Sequence, residues 1–130
     1  MKPDRVLTVN DYYDGPRLGV AELDGLPHVY ESEFDHNADE YRNTYFLSPI
    51  APDLLALVLE GWEIWLRWES AYKRGITTLE THPALPEDRA RHDELKRVIG
   101  DRLKTDPANR NCYRAKFFGP GLQNVEWQPP

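Results

Sequence analysis

The feature that most restricts the fold is a change in the spacing of apolar residues near Ala51. Before this point apolar and polar residues alternate between turn signals, which is typical of β-strands, and after it they recur at helical spacing. Strands followed by helices indicate an α+β fold. Since 130 residues with 40% apolar content suffice for one hydrophobic core, we expect a single α+β domain over residues 1–130.

The strongest local signal in the first third of the chain is the dipeptide Asp24-Gly25. Asp-Gly is favoured in two-residue hairpin loops, which need positive φ angles at both positions. This loop places Gly19 opposite Tyr30, and we expect the tyrosine ring to lie across the glycine. The other face of the hairpin is apolar near the loop and becomes acidic further along, at Glu31, Glu33 and Asp35. Because such a ribbon cannot be buried evenly, we expect the sheet to curl.

Further strands are predicted on both sides of the helical region. Alternation marks four segments before it and two after it, at residues 5–10, 18–23, 26–34, 41–47, 112–118 and 122–127. We therefore predict a curled antiparallel sheet in the order ββββ-αα-ββ, packed on one long and one shorter helix, with a small barrel as one version. Arg114 and Lys116 alternate on the first late strand, and we expect that strand to pair beside residues 26–34, opposite the acidic side chains.

Two helices are predicted between these groups of strands. The first covers residues 51–74, because Pro52 suits the first helical position and a glycine follows the last turn. Its apolar residues span about 220° of a helical wheel drawn at 100° per residue, which predicts well-buried Trp62 and Trp65. The second helix is expected over residues 86–104, antiparallel to the first because the connection is short.

One acidic residue, Glu69, interrupts the apolar arc of the long helix. A carboxylate in such surroundings must be protonated, paired or solvated, and such groups are frequent at functional sites. An antiparallel second helix favours Arg91 as its partner, since a planar guanidinium binds a carboxylate through two hydrogen bonds. The alternative is that Glu69 leaves the core near the helix end and meets Lys73, its i+4 neighbour.

Two histidines complete the candidate ligand-binding set of Glu69, Arg91, His92 and His28. His92 flanks the face of the second helix near which Arg91 lies, whereas His28 lies on the predicted hairpin. A cleft that brings either histidine to Glu69 would indicate a small enzyme. The sequence contains no nucleophile elbow, phosphate loop, dinucleotide fingerprint, zincin helix or EF-hand loop, so we assign no catalytic residue.

We expect no cofactor and no metal site. The four histidines do not follow a recognised ligand spacing, and strand alternation directs His28 away from the acidic side chains of its own strand. The one cysteine, Cys112, cannot form an internal disulfide, and this favours a reducing compartment. A start without signal-peptide features and the lack of about 20 consecutive uncharged apolar residues predict a soluble cytoplasmic protein without a membrane partner.

The charge distribution bears on the partners of the chain. Its net charge is −6, and residues 1–50 hold the excess, with 4 basic and 10 acidic side chains. An acidic surface repels phosphate backbones, so we expect no nucleic-acid partner. The competing indication is a base-stacking composition in one late segment, formed by Arg110, Tyr113, Arg114, Lys116, Phe117 and Phe118.

Two segments, DYYDGPR at residues 11–17 and ETHPALPEDRARHDEL at residues 80–95, resemble those of a group of short, uncharacterised bacterial proteins. The resemblance covers most of the chain and implies a bacterial cytoplasmic protein, but it carries over no activity, ligand or site residue.

Abundant aromatic residues without a catalytic motif favour a non-enzymatic binding or protein-interaction module. Its partner would be another protein or a second copy of the chain in a homo-oligomer. The alternative is a small enzyme that uses Glu69 with a nearby arginine or histidine, and an unidentified small-molecule ligand stays open.

Overall fold

A computed structural model describes residues 3–130 of the chain. The α+β class and the predicted order ββββ-αα-ββ are confirmed. The strands are β1 (Asp4–Tyr12), β2 (Pro16–Leu23), β3 (Leu26–Asp35), β4 (Glu40–Pro49), β5 (Asn111–Phe118) and β6 (Asn124–Gln128). The α-helices are α1 (Pro52–Lys73) and α2 (Arg89–Ile99).

The described chain forms two compact units. The barrel unit contains all six strands and consists of the chain up to Ala51 and from Leu103 onward. The helical unit is Pro52–Arg102. No helix among residues 3–130 combines the length and the apolar character needed to cross a membrane.

The six strands form a closed antiparallel barrel in which every strand pairs with its neighbours in sequence and β6 returns to β1. Asp4 pairs with Val125 at this closing seam. The small-barrel version of the predicted sheet is therefore the observed one. Its interior holds a buried cluster that includes Ala21, Tyr30, Tyr45, Leu47, Val125 and Trp127.

The register of the β2–β3 hairpin is as predicted, with Leu23 opposite Leu26 and Gly19 opposite Tyr30. The Tyr30 ring does lie across Gly19. A Cβ atom added to Gly19 would meet the Thr8 carbonyl oxygen and would lie 2.7 Å from the Tyr30 hydroxyl. The Tyr30 hydroxyl in turn donates a 2.9 Å hydrogen bond to that carbonyl. The glycine is thus required by a close approach of three strands.

The predicted position of β5 beside β3 is wrong, because β5 pairs with β4 and β6. Tight turns connect β3 to both β2 and β4, and these two strands occupy both of its sides. The acidic side chains of β3 find other partners. Glu31 accepts a 2.7 Å bond from Thr105, Glu33 accepts a 2.8 Å bond from Thr44, and Asp35 pairs with Arg42 at 2.9 Å.

Helix α1 runs without a break, but its apolar face is narrower than predicted. Its buried residues are Leu54, Val58, Ile64, Trp68 and Ala71. They cover about 140° of the wheel at 100° per residue. Trp62 and Trp65 are only partly buried, so the prediction that both are well buried is wrong. A tryptophan ring is large enough to reach the surface from the edge of an apolar face, and tryptophan is rarely buried completely.

Helix α2 is shorter than the predicted 86–104 segment. A 3₁₀ turn over Pro86–Asp88 precedes it, and Gly100, with φ +53°, ends it. The antiparallel arrangement of the two helices is confirmed by three ion pairs within the helical unit. From the start of α1 towards its end, these pairs are Asp53–Arg102, Glu60–Arg91 and Arg67–Asp88.

Candidate functional site

The structure gives Glu69 a local partner. Its carboxylate lies 3.6 Å from the ammonium group of Lys73, and 38% of its side chain is exposed. The predicted pair of Glu69 with Arg91 is wrong, and the alternative i+4 contact is the observed one. A half-exposed carboxylate paired along its own helix is a common surface arrangement, so this site offers no special chemistry.

Arg91 binds two other carboxylates of the helical unit. Its Nε and Nη2 atoms donate to the two oxygens of Glu60 at 2.5 and 2.6 Å. Its third nitrogen, Nη1, donates to Glu94. The hydrogen bond from Arg91 lowers the pKa of Glu60 below its usual value. This two-pronged geometry suits an arginine, but it ties α2 to α1 at Glu60, about two and a half turns before Glu69.

The two candidate histidines belong to different units of the chain. His92 is partly buried on α2. His28 belongs to the barrel unit, where its Nδ1 atom lies 2.7 Å from the carbonyl oxygen of Leu26. Because a carbonyl oxygen can only accept, Nδ1 carries the proton. Within residues 3–130, no group of three or more His, Cys, Asp and Glu side chains is placed to hold a metal ion.

The aromatic interior of the barrel is a packed core. The rings of Tyr30, Tyr45, Phe117 and Trp127 lie with centroids 5.5–6.2 Å apart. Their polar atoms donate to backbone carbonyls, from Tyr30 to Thr8, from Tyr45 to Pro16 and from Trp127 to Glu22. Burial raises the pKa of both tyrosines, which keeps them neutral. Their role is structural.

The base-stacking composition of the late segment is divided between the two sides of β5. Tyr113 and Phe117 pack against the barrel core. Arg114 and Lys116 are exposed, and the guanidinium of Arg110 lies 3.8 Å from the centre of the Phe46 ring. Two of the predicted stacking rings therefore serve the core.

A second aromatic group fixes the segment that follows α1. The Trp68 ring stacks on Trp65 at 5.3 Å and on Tyr72 at 5.0 Å, and its indole nitrogen donates to the Thr81 hydroxyl at 2.9 Å. Thr81 donates its one hydroxyl proton to the carbonyl of Thr78. A hydroxyl has only one proton to donate, so in the 2.5 Å contact between Thr77 and Thr81 the donor is Thr77.

Four aromatic side chains lie at one end of the barrel, where the β1–β2 and β3–β4 turns lie, and two of them face solvent while the other two are partly buried. Tyr12 is 63% exposed and Tyr13 is 69% exposed. The Tyr13 ring lies 6.1 Å from Tyr41, which contacts Phe34 edge-on at 5.0 Å. We call Tyr12, Tyr13, Phe34 and Tyr41 the tyrosine end. No surface was predicted at this end, and the adjacent tyrosines in DYYDGPR are the sequence signal that could have indicated it.

Arg17 holds the first turn of the tyrosine end in place. Its Nε donates to the carbonyl of Tyr13 at 2.6 Å, and its Nη2 donates to the carbonyl of Asp14 at 2.8 Å. Its guanidinium also lies 4.6 Å from the centre of the Tyr41 ring. One side chain thus fixes the backbone below the exposed tyrosines and connects it to β4.

Asp35 holds the second turn. One oxygen accepts from the backbone amides of Asn37 and Ala38 at 3.0 and 3.2 Å, and the other pairs with Arg42 at 2.9 Å. These hydrogen bonds, above all the one from the Ala38 amide, lower the pKa of Asp35. Both turns of the tyrosine end are therefore built from specific side-chain contacts.

We compared the chain with protein-family models, with curated protein sequences and with solved structures, and none of them matches it.

Proposed function

We propose that this chain is a non-enzymatic protein-binding module, and that the tyrosine end is its recognition surface. The observation that carries the proposal is the exposure of Tyr12 and Tyr13, at 63% and 69%, on a turn whose backbone is fixed by Arg17. Large aromatic side chains on a rigid support are suited to binding, because little conformational entropy is lost when a partner covers them.

Tyrosine is also the appropriate residue type for such a surface. It combines a large apolar ring with a hydroxyl that can stay hydrated or bond to a partner, and it is enriched among the residues that dominate protein interfaces. Two other tyrosines of the barrel unit, Tyr30 and Tyr45, differ in this respect, because they are 0% and 4% exposed and donate to backbone carbonyls.

The enzyme alternative loses its main support. It depended on a carboxylate held in apolar surroundings, whereas Glu69 is partly exposed and paired with Lys73. Arg91, its expected partner, is occupied by Glu60 and Glu94. Within residues 3–130, no buried side-chain nitrogen or oxygen lacks a hydrogen-bond partner. Glu69, Arg91 and the buried polar side chains of the described residues therefore have partners within the fold.

The proposed setting is the bacterial cytoplasm. The likeness of residues 11–17 and 80–95 to bacterial proteins supports the source, and the single cysteine supports a reducing compartment. Of the two kinds of partner considered, we favour a different protein over a second copy, because an acidic surface disfavours contact with its own equivalent.

Site-specific photo-crosslinking in the bacterium that encodes the chain tests this function. A Tyr13→p-benzoylphenylalanine variant is irradiated in living cells and compared with the same replacement at Tyr72, which is 42% exposed on the helical unit. We expect a discrete protein adduct from position 13 that disappears when Tyr12→Ser is added, and none from position 72. No adduct at position 13, or the same adducts from both positions, would contradict the proposal.

A further inference from the structure

We infer that the tyrosine end receives a lysine- and arginine-rich segment of the partner protein, whose cations lie against the exposed tyrosine rings. The inference rests on the proposed function and adds the chemistry of the partner. Three observations support it. Carboxylates without ion pairs flank the rings in sequence, the two arginines of this end are used in contacts within the fold, and one of them already contacts an aromatic ring.

The first observation concerns charge. Four exposed carboxylates flank the rings in sequence, at Asp11, Asp14, Asp39 and Glu40. Within residues 3–130, none of these four forms an ion pair. Exposed aromatic rings bordered by open carboxylates attract a cationic partner and repel an acidic one.

The second observation is that the two arginines of this end are committed to the fold. Arg17 donates to two turn carbonyls and, at 3.3 Å, to the Ser32 hydroxyl. Arg42 pairs with Asp35. The positive charges therefore fix the turns, while the negative charges of Asp14 and Asp39 face solvent.

The third observation is that an arginine of the chain itself already contacts a ring of this end. The Arg17 guanidinium lies over Tyr41 at 4.6 Å from the ring centre, within the distance of about 6 Å at which cations are attracted to aromatic faces. Tyr12 and Tyr13 present the same ring type to solvent beside carboxylates. A lysine or arginine of a partner would find at these rings the kind of aromatic face that Arg17 contacts on Tyr41, with open carboxylates next to them in sequence.

The test measures binding of a defined probe, a ten-residue peptide of alternating lysine and glycine, by fluorescence anisotropy. The site variant is Asp14→Asn, Asp39→Asn and Glu40→Gln. Asparagine suits the first two positions, whose φ angles are both +53°. A matched control, Glu80→Gln, Glu87→Gln and Asp93→Asn, removes three exposed carboxylates from the helical unit.

We expect the site variant to weaken peptide binding by about tenfold and the control variant to weaken it by less than about twofold. Tyr12→Ser with Tyr13→Ser should also weaken it by about tenfold, because the ring faces are lost. Amide shifts in NMR spectra should change within residues 11–17 and 34–42. Higher salt should weaken binding, since exposed charges are screened.

Several results would overturn the inference. These are equal weakening by both triple variants, equal binding of a glutamate–glycine peptide, or shift changes that fall elsewhere. A dimer in sedimentation that dissociates on Tyr12→Ser with Tyr13→Ser would replace the basic partner with a second copy. If position 13 still crosslinks a protein while the lysine peptide does not bind, the inference fails and the proposed function stands. If position 13 crosslinks nothing, the proposed function itself fails.

Discussion

The hydroxyl of Tyr30 occupies the space that a side chain on Gly19 would need. The residue pair joins β2 and β3, and the same hydroxyl reaches Thr8 on β1, so three neighbouring strands meet at one hydrogen bond. The contact shows how the loop sequence Asp24-Gly25 controls the barrel, because the loop sets the register that brings glycine and tyrosine opposite each other.

Gly19→Ala should destabilise the protein by about 1–3 kcal/mol, since the new methyl group has to displace backbone or a buried ring. Urea unfolding measures the change. The matched control is Gly61→Ala in α1, where a Cβ would meet Leu95 at an ordinary 3.9 Å. That substitution should stabilise by about 0.5–1 kcal/mol through helix propensity. Equal effects of the two substitutions would contradict the Gly19 prediction.

Thr81→Val should lower the free energy of unfolding by about 1–3 kcal/mol, because it removes the acceptor of the Trp68 indole proton. Trp68 is only 3% exposed, so water cannot easily replace the lost partner. Thr81→Ser keeps the hydroxyl and serves as the control. Unfolding followed by tryptophan fluorescence compares the two variants, and a Val variant as stable as the Ser variant would contradict this role.

Arg91→Gln should raise the pKa of Glu60 towards the ordinary value of 4.5, because the guanidinium is the main cause of its lowering. A carboxyl whose pKa is lower in the folded state stabilises the protein above its unfolded pKa, and this stabilisation is lost as the pH falls through the folded value. Carboxyl-carbon NMR between pH 7 and pH 2 measures the Glu60 midpoint. An unchanged Glu60 midpoint in the variant would show that the pair does not form in solution.

Tyr30 and Tyr45 should resist ionisation until the barrel unfolds, since burial raises the pKa of each above its ordinary value of 10.0. The neutral forms are favoured in the folded state. Stability should therefore be unaffected below about pH 10 and should fall as the pH rises further. Absorbance at the tyrosinate band, recorded together with circular dichroism, tests this. Full titration of all seven tyrosines in a still folded protein would disprove it.

Elements governed by local rules could be predicted from the sequence. A two-residue loop determines register, which is why the opposition of Gly19 and Tyr30 was foreseen. The position of β5 could not be read in the same way, because an exposed charge pattern is a weak constraint beside the two hairpin connections that occupy both sides of β3.

The partner of Glu69 shows a second limit. A helical wheel gives the direction of a side chain but not its level along the helix axis. The ion pair of Arg67 with Asp88 sets this level within the helical unit. Arg91 lies three residues after Asp88, and it meets Glu60. Glu60 and Glu69 are about 13 Å apart along α1 at 1.5 Å per residue. The tyrosine end depends on Tyr13 meeting Tyr41, a contact that no short sequence pattern contains.

The return of β6 to β1 determines when the barrel can be completed during synthesis. Asp4 pairs with Val125, so β1 and β4 lack their final partners β6 and β5 while the helical segment is still being made. Open strands of this kind are templates for pairing with other chains. The newly made chain is therefore most prone to aggregation before β6 emerges, and truncation before β6 would leave β1 without this partner permanently.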